Sequence, residues 1–144
     1  MSPQEDLFGP VVFAYTRAQA LEDGEQVALP SDLSTEAGIR FPVFMTRGAY
    51  YATVAAGGRW ETSVHEPGET LVLPAGQDHQ GRLWDVLTML RHAARRGGRS
   101  VPFRVLIDEK GTGHPRAVKL ISECGPMDMD KPEPVITIML PEEQ

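Results

Sequence analysis

GRLWDVLTMLRHAARR, residues 81–96, is the stretch from which the fold is read. Leu83, Val86, Leu87, Leu90 and Ala94 recur at three- and four-residue steps, the spacing that lines one face of an α-helix. Trp84 borders the stripe and is assigned to the core with it, whereas Arg82, Asp85, Thr88, Arg91, Arg95 and Arg96 fall mostly on the opposite face. The arginines of the last turn suit the negative end of the helix dipole. Gly97 and Gly98 stop the helix, and Asp78 is placed to cap its start.

Downstream of the helix the period changes from three or four to two. In VPFRVLID (101–108), Val101, Phe103, Val105 and Ile107 share one side, and Pro102 marks this strand as an edge or a bulge. EKGTGHP (109–115) reads as a turn, and AVKLISE (117–123) alternates again. Residues 125–134 read as a polar, proline-rich loop. VITIML (135–140) is apolar on both faces except Thr137, as an interior strand would be. The fold class expected is therefore α+β: a central amphipathic helix packed on a C-terminal antiparallel three-stranded meander, preceded by short helices and a strand.

Upstream, VVFAY (11–15) has strand composition. Thr16 caps a helix over Arg17 to Asp23 that Gly24 ends, EQVALP (25–30) is extended, and Ser31 or Ser34 starts a single helical turn ending at Gly38. FPVFM (41–45) suits a strand or the lead into a helix, and Thr46 is a cap for a helix over Arg47 to Val54. Residues 56–80 form an irregular region punctuated by Gly57, Gly58, Pro67, Gly68, Pro74 and Gly76, within which TLVL (70–73) can pair with WETSV (60–64). One domain over 1–144 is expected, with 1–9 and 141–144 as loose ends.

The chain has 144 residues, 41% of them hydrophobic and 24% charged, which is ordinary globular usage. A chain of this size folds without a disulfide or a metal. Cys124 is the one cysteine, so no intrachain disulfide exists. No apolar run approaches the ~18 residues of a membrane span, and MSPQEDLFGP lacks the basic start and apolar middle of a secretory signal. A soluble, cytoplasmic protein is expected. Twenty acidic against fourteen basic residues give a net charge of −6, which disfavours non-specific nucleic-acid binding.

Catalytic signatures are missing. GxSxG, GxxxxGK[ST] and GxGxxG do not occur, Cys124 has no CxxC partner, and no histidine pair has zinc spacing. His65-Glu66 and Asp78-His79 bracket the irregular region and form a weak oxygen/nitrogen metal candidate, the plainer reading being exposed loop residues. Arg91, Arg95, Arg96 and Arg99, with His92, form the one concentrated positive patch, a candidate interaction surface whose plainer reading is a solvated helix end. Trp60 is a candidate interface anchor. Asp128, Asp130, Glu133, Glu142 and Glu143 are the acidic counterpart. No cofactor is expected.

Four blocks, FGPVVFAYTRAQALEDG (8–24), FPVFMTR (41–47), GRLWDVL (81–87) and PVITIMLPEE (134–143), together resemble a family of small uncharacterised proteins of bacterial genomes, plasmids and phage-like elements. The resemblance implies a single whole-domain family and carries no functional residue. With the missing signatures, it leads to the expectation of a non-enzymatic protein-binding or regulatory accessory domain of a bacterial or mobile genetic element, with a protein partner. The alternatives are a metal- or small-molecule-dependent enzyme built on His65, Glu66, Asp78 and His79, and an anti-defence inhibitor acting through an acidic face.

Overall fold

The computed structural model describes residues 15–62, 64 and 68–144; the strand expected over Val11 to Tyr15 lies outside this range except for Tyr15. The architecture is α+β. Among the described residues four helices, α1 (Arg17–Asp23), α2 (Ser31–Glu36), α3 (Arg47–Ala52) and α4 (His79–Ala94), accompany strands β1 (Gln26–Ala28), β2 (Val43–Thr46), β3 (Arg59–Thr62), β4 (Glu69–Val72), β5 (Ser100–Ile107), β6 (Arg116–Asp128) and β7 (Lys131–Met139). Among the described residues no helix is long and apolar enough to cross a membrane.

The principal sheet has five strands in the order β1-β2-β7-β6-β5, and β3 and β4 form a separate hairpin. Here the expectation of a three-stranded meander gives way to a larger mixed sheet. Strands β5, β6 and β7 do pair antiparallel in sequence order. β7 is then flanked on its other side by β2, in parallel, with Phe44 opposite Thr137. That pairing explains why VITIML is apolar on both faces: it is an interior strand with a neighbour on each side. FPVFM is the strand that supplies the second neighbour.

The proline-rich stretch expected as a loop is also strand. β6 continues to Asp128 and β7 begins at Lys131, with Pro126 opposite Pro134 and a register shift between Pro126 and Asp128. A bulge accommodates the missing proline donors.

One face of the sheet and the inner sides of α2, α3 and α4 enclose the core. Val43, Met45, Val105, Leu120 and Ile138 meet Val86, Leu87 and Leu90 there, all nearly or fully sealed from solvent. In α4 the last core position is Ala93 and not Ala94, which is exposed, and Trp84 is 39% exposed instead of buried. On the opposite face of the sheet Phe44 is buried with the Arg17 guanidinium 4.6 Å from its ring centre.

Local signals place the helix ends. Thr16 and Gln19 form a capping box at α1, and Gly24 ends it in the left-handed region at φ 80°. Thr46 accepts from the Ala49 amide at the start of α3, and Asp78 accepts from the Gly81 amide at 2.6 Å at the start of α4. The segment expected as a loose tail is fastened: Pro141–Glu143 make a 3-10 turn, Glu143 accepts from the Thr46 hydroxyl at 2.7 Å, and Gln144 donates to Ser100 Oγ at 2.7 Å.

Candidate functional site

The irregular region reaches α4 at Asp78 and His79. Asp78 spends one carboxylate oxygen on the helix cap. The His79 Nε2 and the Tyr50 hydroxyl lie 2.8 Å apart, so the ring is tied to α3. Burial holds the His79 pKa below its ordinary 6.5, against an opposing pull from Asp78, and burial likewise raises that of Tyr50. A neutral imidazole hydrogen-bonded to a phenol results. His65 and Glu66, the other half of the predicted metal candidate, lie outside the described residues. Among the described residues no three His, Cys, Asp or Glu side chains come together as a metal site would require.

Arg82, placed on the outer face by its helical position, is in fact buried at 3% exposure. Its guanidinium donates to the carbonyl oxygens of Thr53, Val54, Ala56 and Asp108 and to Gln77 Oε1. Gln77 in turn donates to the carbonyls of Pro74 and Asp108. One side chain thus ties three loops to the N-terminal half of α4. Gly57 belongs to the same knot: its φ is 72°, and a Cβ there would overlap the Glu109 carbonyl oxygen.

The basic patch does not stay together. Arg91 lies across Gly38, on the α2 side. Arg95 and Arg99 are exposed at the helix end and the approach to β5. Arg96 turns the other way and donates to the Pro102 carbonyl on β5. There it and His92 lie with two cations that the linear sequence does not single out, Arg104 and Lys119. His92, Arg96, Arg104 and Lys119 line one groove of about 700 Å³, over apolar surface from Met89, Phe103 and Ile121. Among the described residues no acidic side chain lines this groove, and none of these four side chains is in an ion pair.

Arg104 and Lys119 are register partners on β5 and β6. The Cys124 amide bonds to the Arg99 carbonyl, so every second pair from there exchanges hydrogen bonds and Arg104–Lys119 is one of the intervening, closer pairs. Like charges directly opposite each other destabilise a sheet. The groove continues along α4 as a second concavity of about 540 Å³ between Trp84, Asp85, Thr88 and Met89 on the helix and Val105 and Leu106 on β5. Leu106 is 62% exposed. Burial raises the Asp85 pKa, against the pull of Arg82.

Trp60 is exposed on the β3–β4 hairpin, 45% open, and lines a smaller concavity with Tyr50, Tyr51 and Arg47. Arg47 already stands over the Tyr51 ring at 5.9 Å and pairs loosely with Glu25 at 3.7 Å. The acidic residues do not converge. Asp128 caps α1 through the Arg17 and Ala18 amides, while Glu142 and Glu143 stand past the far end of β7.

The model of a family of unknown function, DUF6573, matches residues 7–144, and the chain belongs to that family. No curated protein and no solved structure matches it.

Proposed function

We propose that this member of a family without an assigned activity is a non-catalytic binding module whose partner surface is the groove between α4 and β5. The carrying observation is the Arg104–Lys119 pair, two like charges set opposite each other on an exposed strand pair, which share their end of the groove with His92 and Arg96 and with no acid among the described residues, Asp85 standing at the other end. Such a pair costs stability in the isolated molecule, and an anionic partner removes the cost. The apolar floor from Met89, Phe103 and Ile121 gives the partner something to bury besides charge. Of the expected basic patch only His92 and Arg96 belong to this surface, together with Arg104 and Lys119; Arg91, Arg95 and Arg99, and the candidate anchor Trp60, stand outside it. The resemblance of the four sequence blocks supports a bacterial or mobile-element setting.

A fluorescent hexaglutamate peptide tests the reading. Wild-type protein binds it and not hexalysine, and Arg104→Glu with Lys119→Glu, which keeps a like-charge pair but reverses its sign, abolishes binding while leaving the unfolding midpoint close to that of the wild type. Equal binding of both peptides, or of the wild type and the reversed variant, refutes the groove as the surface.

A further inference from the structure

We propose that the groove takes an acidic, extended peptide as an added strand on the edge of β5 that has no neighbour among the described residues, antiparallel to it, over Arg104 to Leu106. The proposal rests on the groove being the partner surface and specifies how the partner is held.

β5 is the outer strand of the five-stranded sheet. Because Arg99 and Cys124 form a hydrogen-bonded pair, Val101, Phe103, Val105 and Ile107 direct their backbone groups inward to β6. Ser100, Pro102, Arg104 and Leu106 direct theirs outward. One of these four positions is already closed. Pro102 has no N–H, and its carbonyl accepts from Arg96. Arg104 and Leu106 keep an outward donor and acceptor each, and neither forms a backbone bond beyond the β5–β6 ladder among the described residues. An exposed edge strand is ordinarily blunted by proline or charge. Here the blunting covers the start of β5 and stops where the apolar concavity begins.

The side chains that an incoming strand meets alternate by face. A residue facing Arg104 shares its side of the sheet with Arg104 and Lys119 and is acidic. The residue facing Val105 points toward α4, between Thr88 and Met89, and is apolar; Thr88 Oγ1, out of water and without a partner among the described residues, lines the same wall. The residue facing Leu106 is apolar again. Asp85 stands at the Leu106 end and Arg96 at the Pro102 end, so the acidic half of the peptide belongs beside Arg96. An antiparallel strand of sequence Thr-Leu-Val-Glu-Thr-Glu meets these conditions, with Leu on Leu106, Val on Val105 and the first Glu on Arg104.

The test uses the full-length protein and this peptide, acetylated and amidated. Saturating peptide slows amide exchange at Arg104 and Leu106 about tenfold or more, with no change at Val105, whose amide already bonds to β6. N-methylation of the peptide Leu or first Glu lowers affinity about tenfold, whereas N-methylation of Val is silent, because only the first two amides face β5. Leu106→Pro removes an outward donor without touching the β6 ladder and abolishes binding. Should that variant unfold, the N-methylated peptides decide alone. Peptide binding with unprotected amides and no N-methyl effect overturns strand addition and leaves the charged groove standing. Failure of both this peptide and hexaglutamate overturns both readings. Displacement of the peptide by single-stranded oligothymidylate, bound more tightly, overturns the peptide as occupant in favour of nucleic acid.

Discussion

Arg82 stabilises by geometry more than by charge. Its planar fork offers five donors, and the five acceptors around it are carbonyl and amide oxygens from three separate loops. Arg82→Met therefore leaves several buried carbonyls unpaired and costs about 3 kcal/mol or more, read as a lowered urea midpoint. Arg82→Lys recovers only part of this, since an ammonium cannot span the same fork; full recovery by lysine would show that charge alone matters. His79 gives the second residue-scale expectation. Its folded-state pKa lies below 6.5, so on acidification the unfolded chain takes up the proton first. The contribution to stability is complete above 6.5 and is lost as the pH falls toward the lowered folded value. Wild-type protein loses more stability than His79→Gln between about pH 7.5 and about pH 5.5, and parallel stability curves for the two would remove His79 from the account. Neither role was legible in the sequence. Arg82 sits where helical spacing predicts solvent, and its burial comes from loops that fold over that flank of α4.

Elements whose signals are local are legible in the sequence, whereas the pairing of β2 with β7 depends on a partner about ninety residues away and is not. α1 and α4 carry their own caps and periodicity, so Thr16, Asp78 and the Leu83 to Leu90 stripe identify them without the rest of the chain. Leu87→Ala, at a fully buried position on α4, costs about 2–5 kcal/mol in denaturant unfolding; a near-neutral effect would contradict the packing of α4 on the sheet. Trp84 shows the limit of periodicity. A helix laid on a sheet has two flanks as well as a face, and the flank toward β5 stays partly open. Pro102 was a sound indication of an edge strand, and the outward direction of its missing N–H says why the edge tolerates it. Residues 125–134 misled because Gly125, Pro126 and Pro134 punctuate a loop by composition, whereas here they flank a bulge in a continuing strand pair. Arg104 and Lys119 are fifteen positions apart in the sequence and become neighbours only through register, so the site could be read only after the sheet was known.

At the scale of the whole molecule, a net charge of −6 surrounds a groove lined by cations. Contact attraction and distant repulsion then act on the same acidic ligand, and salt screens both. The contact charges lie well inside the ~10 Å Debye length of moderate ionic strength. In the hexaglutamate titration, raising NaCl from about 50 to about 300 mM therefore weakens binding several-fold; tighter binding in salt would mean that the distant negative field governs. The parallel pairing of β2 with β7 has a consequence of a different kind, in time. Val43 meets Ile136, about ninety residues later in synthesis, and at 5–20 residues per second that is a delay of roughly 5 to 20 seconds on the ribosome. Throughout it the apolar run Val43-Phe44-Met45 can pair with β1 but lacks its β7 neighbour, and that open edge presents a strand to any neighbouring nascent chain. β7, which lies between β2 and β6 and follows both in the chain, joins the two halves of the sheet, so this sheet forms only after translation of β7 and not progressively before it.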